Sequence, residues 1–137
     1  MKITRRKGGV WVTYPEAKEV QLKVRPIYFS QSLDILEEVK EKRVVEGMPI
    51  DPRDLSKRGP QVVDDYRGGD FSWKMFDQAL EEWKGIEVQL EEGDAPLGPV
   101  EVKRILFDND KLREFVFAKA RELAEMESIV KEREEKN

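Results

Sequence analysis

The chain has 137 residues, with 25 Lys or Arg against 29 Asp or Glu for a net charge of -4, and it contains no cysteine and no histidine. That length suits one domain around one buried core, while the missing Cys and His exclude disulfides, thiolate metal sites, a Cys nucleophile and any triad with an imidazole base. Charged residues make up 39% of the chain, against about 25% in an average domain, so both signs must coat the surface.

The first residues, Met1-Lys2-Ile3-Thr4-Arg5-Arg6-Lys7, are basic but lead into no apolar segment of signal-peptide length. No run approaches the about 18 apolar residues of a membrane span. Val10-Trp11-Val12-Thr13-Tyr14 is β-rich and stops at Pro15. After it, Glu19-Val20-Gln21-Leu22-Lys23-Val24-Arg25 alternates apolar and polar residues up to Pro26, which predicts a hairpin with Val20, Leu22 and Val24 facing the core. Ser30 or Ser32 can cap the next helix, where Leu33, Leu36 and Val39, with Ile35, make an apolar stripe expected to end near Gly47.

Between residues 48 and 70 the apolar periodicity is lost. Asp51-Pro52 offers the start of a short helix, Gly59-Pro60 and Gly68-Gly69 are breakers, and a connection this long predicts a flexible loop that orders on a partner. Ser72 then caps a helix in which Trp73, Phe76, Leu80 and Trp83 share one face, ended by Gly85. The alternation Ile86-Glu87-Val88-Gln89-Leu90 predicts a strand, with Glu91-Glu92-Gly93-Asp94 as its turn.

Pro99 opens a short helix to Phe107 with Val102, Ile105 and Leu106 inward, and Asp108-Asn109-Asp110 supplies the cap of the last helix. Its stripe of Leu112, Phe115, Val116, Ala120 and Leu123 is widened by Phe117, Ala118 and Ala124. Residues 128–137 are expected to form a charged, frayed C-terminal tail. The predicted class is α+β: one domain over 1–137, with a small antiparallel sheet, made of the N-terminal hairpin plus a strand near 86–90, packed against about four helices.

Charge is unevenly spread. Residues 1–28 hold seven Lys or Arg against Glu16 and Glu19, whereas residues 70–101 hold nine acids against Lys74 and Lys84. Opposite poles of this kind can orient one protein on another or stack like subunits.

Residue chemistry offers no catalytic constellation, and no cofactor or metal is expected. Glu91, Glu92 and Asp94 around Gly93 lack the ligand spacing of a calcium loop, and neither Gly8-Gly9 nor Gly68-Gly69 precedes the Lys-Ser or Lys-Thr pair of a phosphate loop. Five serines have no histidine to activate them. The basic N-terminus with Trp11 and Tyr14 has the chemistry to track a nucleic acid, but a sequence pI near 5.1 argues against that partner. Trp73, Phe76, Leu80 and Trp83 read as core. Trp11, Tyr14, Tyr66 and Phe71, nearer to loops and strand edges, are the candidate partner contacts.

The order of parts is itself informative. A hairpin entering Val24-Arg25-Pro26, a helix ending Trp83-Lys84-Gly85-Ile86, an acidic Gly93 turn with Pro96-Leu97, and a closing helix over residues 112–125 with a charged tail ending Lys136-Asn137 resemble the phage tail assembly chaperones of long-tailed bacteriophages and prophages. The most specific piece is the W-x-G-[IV] step followed by an acid-Gly turn and a short helix. The resemblance implies a non-enzymatic protein of the host bacterial cytoplasm that binds the tape measure protein and keeps it soluble while the tail tube assembles. The tail tube protein is a further candidate partner, and the opposite charge poles add further copies of the chain; the acidic balance and the lack of a long apolar run lead to the expectation of no nucleic acid and no membrane. The alternatives from other classes are a structural tail completion or connector protein and an acidic regulatory binding module.

Overall fold

The computed structural model describes residues 8–125, with the backbone of the last helix followed to Lys136. The basic arm of residues 1–7 and Asn137 lie outside the described residues, and the tail expected over 128–137 runs on as helix backbone to Lys136. The fold is α+β, as the sequence predicts, with two antiparallel sheets and four helices among the described residues.

Strands β1 (Val10–Thr13) and β2 (Gln21–Val24) form the expected hairpin, with Val10 opposite Val24 and Thr13 opposite Gln21. Its register follows from its apolar side: Val20, Leu22 and Val24 are all buried, and a one-residue slip would bury Gln21 and Lys23 instead. Helix α1 (Phe29–Glu38) begins earlier than the serine caps suggest, with Tyr28 at the cap position and the Gln31 Oε1 accepting the Tyr28 N–H at 2.9 Å. It buries Ile35 and Val39, while Leu33 is left exposed, so the inward face is rotated from the expected stripe.

The helix also stops nine residues short of Gly47. From Lys40 the chain enters β3 (Lys40–Pro49), which pairs antiparallel with β4 (Arg58–Tyr66) as a separate two-stranded sheet. Much of the expected loop over 48–70 is therefore strand. The physical reason is β-branched residues on both strands: Val44 stands opposite Val62, with Val45 and Val63 beside them, and such residues fit a pleated surface better than a helix. Gly47, at φ 71°, sits in the bulge between Val45 and Met48. Asp51-Pro52 opens a turn and not a short helix, with the Asp51 Oδ1 accepting the Arg53 N–H at 2.9 Å.

Helix α2 (Gly68–Ala79) starts before Ser72 and ends before Trp83. Its apparent last turn is instead β5 (Leu80–Lys84), bonded to the open side of β2 with Leu22 opposite Trp83 and Val24 opposite Leu80, giving the order β1-β2-β5. The strand expected near 86–90 is thus displaced to 80–84. Completing the β2 edge satisfies backbone groups that a further helical turn would have left open on β2, and that outweighs the local helix preference of Leu80-Glu81-Glu82. Residues 86–89 keep the predicted alternation in burial, Ile86 and Val88 half-buried and Glu87 and Gln89 exposed, without being a strand, and it breaks at the exposed Leu90.

Helix α3 (Pro99–Asp108) opens on Pro99, with the Glu101 Oε2 accepting the Gly98 N–H at 2.7 Å. It buries Leu106, whereas Ile105 is exposed. Asn109 caps α4 (Asp110–Lys136) through its Oδ1, which accepts the Leu112 N–H at 3.1 Å. The three-stranded sheet is covered on one face by α2, α3 and α4, and the core between them holds Leu22, Val24, Phe76, Ala79, Leu80, Leu106, Leu112, Val116 and Ala120. Phe76 is at its centre, with ring centroids 5.4 Å from Phe107, 6.2 Å from Phe117 and 6.4 Å from Trp73.

Candidate functional site

The main concavity lies where three helices fail to close over one another. Directly after the buried Pro26, the Ile27 N–H reaches the Ala120 carbonyl on α4 at 3.4 Å, which ties the entry to α1 against the middle of α4. The first turns of α1 and α2 then diverge from α4 and leave an open groove of about 820 Å³. Ile27, Tyr28 and Phe29 form one wall, Phe71 and Met75 the second, and Phe117, Ala120 and Ala124 the floor. Phe29 is 79% exposed at its rim.

Charge occurs only at the edge of this groove, as Glu114, Arg121 and Glu125 on α4. An apolar trough between helices, lined also by exposed charged residues, suits an amphipathic helix laid into it by its apolar face. Among the described residues no cluster of three or more acidic side chains is placed to hold a metal ion.

The four predicted contact residues do not form one patch. Phe71 lines the groove. Tyr14 belongs to the core, 8% exposed and edge-on to Phe115 at 5.4 Å, and its burial, with Glu16 nearby, raises its phenol above the ordinary range. Trp11 stands on the outer face of the sheet under the Lys84 ammonium, 4.4 Å from the ring centre, so lysine already covers part of its surface. Tyr66 is exposed at the end of β4, opposite Lys40.

The sequence reading missed Ile27, Tyr28, Phe29 and Met75. A signal was present: three large apolar residues follow Pro26 directly, too early to belong to the stripe of α1.

The two charge poles of the sequence meet inside the fold. Because β5 lies beside β2, Glu81 comes within 3.7 Å of Lys23 and 3.6 Å of Arg25, and its Oε2 accepts the Gly9 N–H at 2.9 Å. The Gly9 bond first, and then the Arg25 and Lys23 charges, hold the Glu81 carboxyl below the ordinary range. On the helical side Lys103 pairs with Asp77 at 3.0 Å. Of the two poles, the pairs seen among the described residues join Lys23 and Arg25 to Glu81 alone.

No family model, curated protein or solved structure matches the chain.

Proposed function

We propose that this chain is a non-catalytic phage or prophage tail assembly chaperone, acting in the bacterial cytoplasm by stoichiometric binding. In this reading the groove between α1, α2 and α4 shelters apolar faces of the helical tape measure protein until the tail tube encloses them. The observation that supports it best is the groove itself, an apolar trough with an exposed Phe29 and a charged margin. A holdase needs such a surface, because contacts must be numerous enough to compete with aggregation yet weak enough to be replaced on assembly. The resemblance in motif order supports the same partner through the hairpin, the acidic Gly93 turn and the closing helix, and not through a helix ending at Trp83, since Leu80–Lys84 is strand. Among the described residues no helix is long and apolar enough to cross a membrane.

Co-expression tests the proposal. The tape measure protein should move from the pellet to the soluble fraction when this chain accompanies it, and unchanged aggregation would overturn the reading. The separate β3–β4 hairpin favours a second reading, a tail completion or connector protein that remains in the particle. Mass spectrometry of purified virions separates the two: a chaperone is absent from finished particles and a connector is present at fixed copy number.

A further inference from the structure

On another side of α2 a second cavity, of about 440 Å³, opens between the exit of β2 and helices α1, α2 and α3. Lys74, Asp77 and Gln78, three and four residues apart, bring one side of α2 to it, and Phe71 and Met75 line the groove from a different side. Arg25 enters from the end of β2, Glu38 and the buried Ile35 from α1, and Lys103 from α3. The lining thus joins three cations and two carboxylates, an excess of one positive charge in a chain of net charge -4.

The two carboxylates are each taken by a lysine, Glu38 by Lys74 at 2.9 Å and Asp77 by Lys103 at 3.0 Å. Arg25 is the cation left over. Its backbone is fixed, because its N–H donates to the Ala79 carbonyl at 2.8 Å. Its guanidinium is not satisfied: Nε is buried and has no hydrogen-bond partner among the described residues. The Glu81 Oε2 with which it is ion-paired stands 3.6 Å away, beyond hydrogen-bond reach, and already accepts the Gly9 N–H. A buried charged donor without an acceptor is costly and calls for one. Two further donors are at hand. Lys103, 13% exposed, directs two bonds to Asp77, at its carbonyl and its carboxylate, which leaves one of its three N–H groups. Gln78 adds a side-chain amide.

We propose that this cavity binds the carboxylate of a small organic acid, held by the Arg25 guanidinium with Lys103 and Gln78 as further donors and with Ile35 as the apolar wall for its stem. Charge selects the ligand. One carboxylate cancels the excess of one positive charge, whereas a phosphate group, at about -1.5 to -2, overshoots it and is repelled by Glu38 and Asp77. A planar carboxylate also fits the guanidinium through two parallel hydrogen bonds. The volume falls in the range of small-molecule sites, about 300–1,000 Å³. This inference does not depend on what the groove binds.

Proton–nitrogen correlation spectra of the full chain test it, since the buried Arg25 Nε–H reports on the site directly. Butyrate, titrated at constant ionic strength, should move the Arg25 Nε–H and Gln78 amide signals along a saturating curve, and inorganic phosphate should move them far less. Arg25→Lys keeps the charge but loses the planar fork, and should weaken butyrate binding several-fold when followed at the Gln78 amide. The titration of the parent chain stands whether or not that variant folds. The absence of a saturating shift, an equal response to phosphate, or unchanged affinity in a folded Arg25→Lys chain would overturn the proposal. A tripeptide whose free C-terminus binds more tightly than butyrate, with the amidated form inert, would overturn the assignment to a small acid and give the site to a peptide end.

Discussion

Gly85 is the position where a single atom decides most. It sits at φ 80°, and a Cβ there would run into the Glu19 backbone carbonyl where β5 leaves the sheet. Gly85→Ala therefore combines left-handed strain with a clash against backbone that cannot swing away. It should destabilise the fold by about 1–3 kcal/mol, measured as the shift of the urea midpoint at constant slope. Phe76→Ala should cost more, about 3–5 kcal/mol, because a fully buried ring with three aromatic neighbours leaves a cavity behind. Glu81 sets a pH dependence. Its carboxyl is held below the ordinary range, so its contribution is complete above its unfolded value, about 4.3, and is lost as pH falls through the lower folded value. Acid titration of stability should fall less steeply in Glu81→Gln than in the parent below that point, and identical acid limbs would contradict the assignment. At this scale the sequence was readable where pattern and burial coincide. Val20, Leu22 and Val24 are inward because no other register keeps Lys23 wet, whereas Tyr14, the last residue of its β-rich run and next to Pro15, read as a candidate partner contact because it lies at a strand end, and the structure buries it.

Elements were legible in type where their pairing is local and illegible where a distant partner decides. The β1–β2 hairpin, α3 and α4 carry their own turn and cap residues, so their existence followed from short-range signals. Residues 80–84 have helical spacing with Trp73 and Phe76, yet they are strand because β2, more than 50 positions earlier, presents an open edge to them. The β3–β4 hairpin was missed for a different reason. Its sign was the pair of runs Arg43-Val44-Val45 and Gln61-Val62-Val63 flanking a turn-rich stretch, but both faces are wet, so no clean apolar alternation marks them. The two sheets should therefore differ in local stability. Native-state hydrogen exchange in dilute, unassembled protein should give Leu22, Val24 and Leu80 amides protection near that of global unfolding, and the central β3–β4 amides far less. Equal protection of the two sheets would contradict this division.

On the scale of the molecule, the groove is a consequence of how the chain enters α1. Pro26 is buried and Ile27 bonds to Ala120 on α4, so the first turn of α1 is held at α4 while its later turns lean on α2. The opening between the three helices is rimmed by charge and floored by Phe117 and Ala120. The sequence identified Phe71 and counted Phe117 toward the stripe of α4, but the wall of Ile27, Tyr28 and Phe29 comes from tertiary placement that no periodicity encodes. On the proposed function, this trough, and not the outer sheet face with Trp11, would hold the partner helix. The most direct measurement is co-purification of the tape measure protein with parent, Phe29→Asp and Trp11→Asp chains, with circular dichroism confirming that each variant is folded. Phe29→Asp, changed at an exposed site, should keep its fold and lose most of the partner, while Trp11→Asp should retain it. Full retention by a folded Phe29→Asp chain, or loss confined to Trp11→Asp, would contradict it.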